Sequence, residues 1–89
     1  MIKKEEAQEW IEWVKKVNEL KARLARLAQK IDENLRQKQI LDLKKESDRK
    51  RLGELEKITT RLRANYLKGM AECEELLKEQ EILEKKYKN

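Results

Sequence analysis

One heptad repeat runs along the chain without a change of phase, and it constrains the fold more than any other feature. With Trp10 taken as position a, apolar residues fill most a and d positions as far as Leu83. A stripe that recurs about every 3.5 residues marks a helix that buries one side against another helix. The predicted fold class is therefore all-α. The predicted helix-helix seam comprises Trp10, Trp13, Val17, Leu20, Leu24, Leu27, Ile31, Leu41, Leu52, Leu55, Leu62, Tyr66, Cys73, Leu76 and Leu83.

The composition also favours a helical chain. Charged residues make up 46 % of the sequence, proline is absent and there are two glycines, so few residues would end a helix. A chain of 89 residues has room for one small domain. We therefore predict a single helical domain over residues 1–89.

The apolar stripe is interrupted in the middle of the chain, where Lys45 and Asp48 occupy seam positions. A helix cannot bury such charges cheaply unless they pair. Residues 45–49 are predicted to form a polar turn or a solvent-exposed helical segment, between helices over about 3–44 and 49–87. Ser47 or Asp48 would suit the N-cap of the second helix. The absence of glycine and proline from this segment, and the unbroken heptad phase, oppose a turn.

The charges beside the seam favour an antiparallel coiled coil. A parallel, in-register pair would bring Lys16 near Lys21 and Glu79 near Glu84. When the chain is folded back on itself, three opposite-charge pairs replace these repulsions, and Leu24 lies opposite Gly69. The same register places Asn34 with Thr59, so two polar seam residues share a layer. The three predicted ion pairs are Glu9 with Lys86, Lys16 with Glu79 and Arg23 with Glu72.

Two architectures satisfy this pairing. The favoured one is a long two-helix hairpin within one chain. The alternative is one continuous long helix in an antiparallel homodimer, which is the domain-swapped form of the hairpin. Apolar residues also occupy position e, so the apolar stripe is wider than a two-helix seam needs. This extra width predicts further association into a dimer or four-helix bundle. This e row comprises Val14, Ala28, Leu35, Met70 and Leu77.

The sequence gives no support for catalysis. Histidine is absent, and the single cysteine, Cys73, has no histidine to activate it. The many carboxylates fall mainly on positions that face solvent, so nothing brings them together around a metal ion. We expect no enzyme activity, no catalytic residue, no metal, no cofactor and no small-molecule substrate.

The predicted function is that of a coiled-coil interaction protein, a scaffold, adaptor, chaperone or inhibitor that acts through helix-helix packing. Its partner would be a protein, either a second copy of this chain or a helix of another molecule. Aromatic residues are enriched in interaction hot spots, so the segment that carries Trp10 and Trp13 is a candidate binding surface. The candidate partner-binding residues are Trp10, Ile11, Val14, Leu35, Met70 and Leu77.

An alternative function is suggested by the basic middle of the chain. Residues 36–68 hold eleven basic and five acidic residues, a net charge of +6. Such a segment could bind the phosphates of nucleic acid. No aromatic side chain interleaves the basic run to stack on bases, so this binding would be sequence-nonspecific. The candidate nucleic-acid contacts are Lys44, Lys45, Arg49, Lys50, Arg51, Arg61 and Arg63.

The apolar segments are short. No run approaches the roughly 20 apolar residues that cross a bilayer. The first six residues, Met-Ile-Lys-Lys-Glu-Glu, lack the apolar core of a signal peptide. We expect a soluble, intracellular and cytoplasmic protein with no membrane partner.

Overall fold

The fold is an all-α helical hairpin. A computed structural model describes residues 3–88, in which helix α1 spans Lys4–Gln39 and helix α2 spans Glu46–Lys86. The helices lie side by side, and the molecule measures 68 × 15 × 13 Å between Cα atoms. The described residues include no strand. The predicted hairpin is confirmed, and the chain does not form the single continuous helix of the alternative architecture.

The turn comes earlier in the chain than the sequence suggested. It occupies residues 40–45, whereas the prediction placed it at 45–49 and extended the first helix to about residue 44. The N-cap of α2 is Lys45, so the prediction that Ser47 or Asp48 fills this position is wrong. No described residue, glycine included, has a positive φ, so this turn does not need glycine. The absence of glycine and proline was therefore no evidence against a turn.

Two carboxylates hold the turn together. Asp48 lies in the first turn of α2, and its Oδ2 accepts a hydrogen bond of 2.8 Å from the Asp42 amide. The Asp42 carboxylate in turn accepts a bond of 3.0 Å from the Lys44 amide. Arg49 donates from its guanidinium to the Leu43 carbonyl at 3.4 Å. Short acidic side chains thus satisfy backbone amides that a tight turn leaves without a helical partner.

The burial of side chains follows the heptad. All fifteen predicted seam residues are buried or half-buried, and Leu20 and Leu55 are the most enclosed apolar side chains. Lys45, which the heptad places on the seam, is exposed because it belongs to the turn. The seam thus runs along both arms and ends where the chain reverses.

Two layers of the seam have distinctive packing. The predicted pairing of Leu24 with Gly69 is confirmed, since a Cβ on Gly69 would overlap the Leu24 side chain. Asn34 and Thr59 do not hydrogen-bond to each other. The Thr59 hydroxyl donates to the Leu55 carbonyl of its own helix at 2.7 Å, and the Asn34 amide nitrogen is buried without a hydrogen-bond partner.

Candidate helix-docking face

One long side of the hairpin is tied by ion pairs between the helices. The residues concerned occupy position g in both helices, and these positions face each other when two helices run antiparallel. All three pairs predicted from the sequence are confirmed. They are Glu9–Lys86 at 2.8 Å, Lys16–Glu79 at 3.2 Å, and Arg23–Glu72. We call this side of the molecule the ion-paired side.

The ion-paired side ends in a cluster opposite the turn, at what we call the open end. Lys86 donates a hydrogen bond to Glu9, which holds the pKa of the Glu9 carboxyl below its ordinary value. The same bond raises the pKa of Lys86. The Lys86 ammonium lies 5.2 Å from the centre of the Tyr87 ring, in a cation–π arrangement. Burial raises the pKa of the Tyr87 phenol. The cluster therefore joins the start of α1 to the end of α2.

The two tryptophans belong mainly to the seam. Trp13 donates from its indole nitrogen to the Leu76 carbonyl of α2 at 2.8 Å, which fixes the register of the helices near the open end. Trp10 is half-buried and meets Trp13 edge to face, with ring centres 5.8 Å apart. The structure thus places Trp10, a predicted partner-binding residue, between the helices.

The opposite long side carries exposed apolar side chains among charged ones, which include Glu56 and Arg63. It is formed by positions e and b, which adjoin each other on a helix. Most of the large apolar side chains that the described residues expose lie here. Ile58 and Ile82 lie toward the ion-paired side, and Ile40 and Leu43 lie in the turn. The residues of this side, which we call the apolar face, are Ile11, Val14, Leu35, Leu67, Met70 and Leu77.

A groove of about 300 Å³ runs along the apolar face near the open end. Its walls come from both helices, and its lining is almost wholly apolar. Cys73, which is half-buried, forms part of the floor, and Lys21 is the one charged residue of the lining. The lining residues are Trp13, Val17, Leu20, Lys21, Cys73, Leu76 and Leu77.

The structure brings most of the predicted partner-binding residues onto one surface. Five of the six belong to the apolar face, and only Trp10 does not. Sequence reasoning missed Leu67, whose side chain is 68 % exposed. Leu67 precedes Met70 by three residues, which places the two on the same side of α2. That spacing was a signal in the sequence, although position b lies outside the e row.

The predicted nucleic-acid contacts are only partly brought together. Five of them, Lys44, Lys45, Arg49, Lys50 and Arg51, lie in the turn or at the start of α2. Arg61 and Arg63 lie farther along α2 and point to different sides of the helix, because positions c and e are well separated. The turn and the start of α2 form what we call the tip.

The side chains of the tip are partly occupied by one another. The Arg51 guanidinium donates to the Gln37 side-chain oxygen and to Glu54, each at 3.2 Å. Two apolar residues, Ile40 and Leu43, are exposed beside the cations, and Ile40 is 83 % exposed. The tip is therefore cationic but does not form an uninterrupted basic surface.

Other kinds of site find little support in the described part of the chain. Residues 3–88 contain no group of three or more cysteine or acidic side chains placed to hold a metal ion. Neither α1 nor α2 has a stretch that is apolar and long enough to cross a membrane. No protein-family model, curated protein or solved structure matches this chain. The apolar face is the feature that the geometry offers for binding.

Proposed function

We propose that this chain is a non-enzymatic interaction protein that binds helices on its apolar face. Its role would be that of a scaffold, adaptor, chaperone or inhibitor. The supporting observation is the difference between the two long sides of the hairpin. Ion pairs close one side, whereas large apolar side chains remain exposed on the other. Clusters of exposed apolar side chains mark interaction sites in proteins.

The spacing of the exposed residues fits a helical partner. Leu67, Met70 and Leu77 follow one another at intervals of three and seven along α2, and Ile11 and Val14 are three apart on α1. A helix that docks in a groove meets anchors at such intervals. Burial of these side chains would contribute roughly 25 cal/mol for each Å² of apolar surface removed from water.

Photo-crosslinking in cells that produce the protein tests this proposal. A photoreactive amino acid at Leu77 should give an adduct of discrete mass, because this position lines the groove. The control carries the same amino acid at Ile82, which is similarly exposed but lies toward the ion-paired side. Equal adducts from both positions, or adducts from Ile82 alone, would contradict the proposal.

Substitution of the apolar face provides a second test. The variant Met70→Glu with Leu77→Glu should keep its helical circular dichroism, because both side chains are exposed within the hairpin. It should lose the adduct formed from a photoreactive amino acid at Val14. The matched control Ile82→Glu should retain that adduct. Retention of the adduct by the double variant would count against the apolar face as the binding surface.

A second candidate function is sequence-nonspecific nucleic-acid binding through the tip. The supporting observation is that the turn collects cations from the end of α1 to the start of α2. Residues 36–51 hold seven basic and three acidic residues. Two of the acidic residues, Asp42 and Asp48, accept hydrogen bonds from backbone amides of the turn. The side chains of Lys44, Lys45 and Lys50 are exposed, so phosphates could approach them.

A gel shift with duplex and single-stranded probes tests the tip. Affinity should fall steeply between about 50 and 200 mM salt, because each neutralised phosphate releases counterions. The variant Lys44→Glu with Lys50→Glu should remove the shift, and both side chains are exposed. Lys15→Glu with Lys78→Glu, which reverses two exposed charges nearer the open end, is the control. No shift at low salt would remove this function.

A further inference from the structure

We infer that the apolar face binds a second copy of this chain, and that the two hairpins lie side by side with their tips pointing in opposite directions. This inference rests on the proposed function, since it names the occupant of the same surface. It is carried by the dimensions of the face and by the distribution of charge along the molecule.

The long side of the hairpin that carries the apolar face is large enough for a stable dimer. The molecule is 68 Å long and 15 Å wide between Cα atoms. An interface that covers most of such a side exceeds the roughly 800 Å² per partner that is usual for specific complexes. A single short helix would cover only part of this length, whereas a second hairpin matches it from end to end.

The charge is distributed unevenly along the hairpin. The half nearer the tip, residues 23–68, holds fourteen basic and seven acidic residues, a net charge of +7. The half nearer the open end, residues 3–22 and 69–88, holds nine basic and eleven acidic residues, a net charge of −2. Two copies with parallel tips would place the two +7 halves together. Opposed tips place each positive half beside a negative one, so electrostatics selects the antiparallel arrangement.

The opposed arrangement also gives favourable neighbours along the face. The e positions of the two helices form layers at intervals of seven residues, from Glu84 near the open end to Arg49 at the tip. A two-fold axis through the middle of these layers brings Val14 and Leu77 of one copy level with Leu35 and Glu56 of the other. It brings Glu84 level with Arg49 and Asp42. Val14 and Leu35 can thus meet across the two copies, and so can the opposite charges of Glu84 and Arg49.

The native cysteine reports on occupancy of the groove. Cys73 forms part of the groove floor, and a second copy on the apolar face would cover it. Its rate of reaction with a thiol reagent should therefore fall at least fivefold as protein concentration rises from about 1 to 200 µM. The sedimentation mass should double over the same range. A monomeric mass at 200 µM with unchanged thiol reactivity would overturn the inference.

Spin labels at the tip test the orientation. Ser47→Cys in a Cys73→Ser background places one label on each copy, at an exposed position at the start of α2. Opposed tips should give a distance between labels that approaches the 68 Å length of the molecule. A distance below about 30 Å would mean parallel tips and would overturn the inference.

Charge reversal tests the same orientation independently. Glu84→Arg should weaken dimerisation about fivefold or more, and Arg49→Glu in the same chain should restore it. Lack of restoration would contradict the proposed neighbours.

The inference and the proposed function can fail separately. A monomer whose Leu77 position still crosslinks to a different protein would remove the second copy and leave the proposed function standing. A monomer without a crosslink at Leu77 would remove both.

Discussion

Gly53 and Gly69 lie in the same helix but have different surroundings. No atom lies within 4 Å of the position that a Cβ on Gly53 would take. A Cβ on Gly69 would overlap Leu24 Cδ2 and lie 3.3 Å from Leu24 Cγ. The two glycines therefore make a matched pair, in which only one has a packing role.

We predict opposite effects when each glycine is replaced by alanine. Gly53→Ala should raise the free energy of unfolding by about 1 kcal/mol, because alanine favours a helix over glycine by that amount. Gly69→Ala should lower it by about 1 kcal/mol, since overpacking costs about 1–3 kcal/mol and outweighs the helix gain. Chemical denaturation measures both values.

The control for this pair is the Leu24→Ala background, which removes the overlapping side chain. In that background Gly69→Ala should become stabilising, as Gly53→Ala is in the parent chain. If Gly69→Ala stabilises the parent chain as much as Gly53→Ala does, the close approach of Leu24 to α2 is wrong.

Asn34 is a polar residue in an apolar seam. Its side-chain nitrogen is buried and has no hydrogen-bond partner, which is costly in a folded protein. Asn34→Leu should raise the free energy of unfolding by about 1–2 kcal/mol, measured by denaturation. Asn18→Leu, at an exposed position of the same helix, should leave it nearly unchanged. A loss of stability in Asn34→Leu would show that this layer has no room for the larger apolar side chain.

Single residues also show which side-chain contacts a heptad pattern can predict. Position g predicted the ion pairs because antiparallel helices bring like positions together. Leu67 was missed because position b lies outside the e row, although its spacing of three residues from Met70 is visible in the sequence. The hydrogen bond from Trp13 to the Leu76 carbonyl could not be predicted either. Every residue of α2 has a backbone carbonyl, and the sequence does not show which one lies beside Trp13.

The turn is the element in which sequence reasoning erred. Hydrophobic spacing located the interruption of the seam at Lys45 and Asp48, but the chain leaves the helix several residues earlier, after Gln39. Asp48 remains half-buried because its carboxylate reaches back to the Asp42 amide. The interaction joins residues six apart across a turn, so neither helical spacing nor glycine content could reveal it.

We predict that the Asp48 carboxylate stabilises this turn. Asp48→Ala should lower the free energy of unfolding by about 0.5–1.5 kcal/mol, because the Asp42 amide loses its acceptor. Asp48→Asn, which keeps a side-chain oxygen in the same place, should cost less than half as much. Thermal unfolding followed by circular dichroism measures the difference. Equal losses in the two variants would mean that negative charge, and not the hydrogen bond, is what matters.

The ends of the two helices are joined by Glu9 and Lys86, and this gives a prediction on pH. The pKa of Glu9 is lowered below its ordinary value of 4.5, so the unfolded chain binds the proton more tightly than the folded one. The contribution of Glu9 to stability is therefore complete above that value and is lost as pH falls through the lowered pKa.

Thermal unfolding of the parent chain and of Glu9→Gln measures this contribution. The parent chain should be slightly more stable at neutral pH, and the difference between the two should shrink as pH falls below 4.5 and through the lowered pKa of Glu9. Glu12→Gln, at an exposed position of the same helix, is the control. A Glu9→Gln difference that stays the same as pH falls would contradict the ion pair.

At the scale of the whole molecule, small-angle scattering tests both the hairpin and its association. Each of them predicts a value for the longest dimension of the particle. A dilute hairpin should have a longest dimension slightly above the 68 Å between its Cα atoms, whereas a continuous helix of this chain would approach about 130 Å. On dimerisation with opposed tips, the mass should double while the longest dimension stays nearly constant. A longest dimension that grows by more than about a third would indicate copies joined end to end.

The sequence by itself determined the helices, the seam and the antiparallel direction. These follow from the spacing of apolar residues and the signs of the flanking charges, which act between positions related by a fixed period. Only the tertiary structure decided where the chain turns and which residues beyond the predicted e row, such as Leu67, join the apolar face. The turn depends on side-chain bonds to particular amides, and the apolar face depends on where both helices direct their e and b positions once they lie together. Such features arise from three-dimensional proximity, which the heptad does not encode.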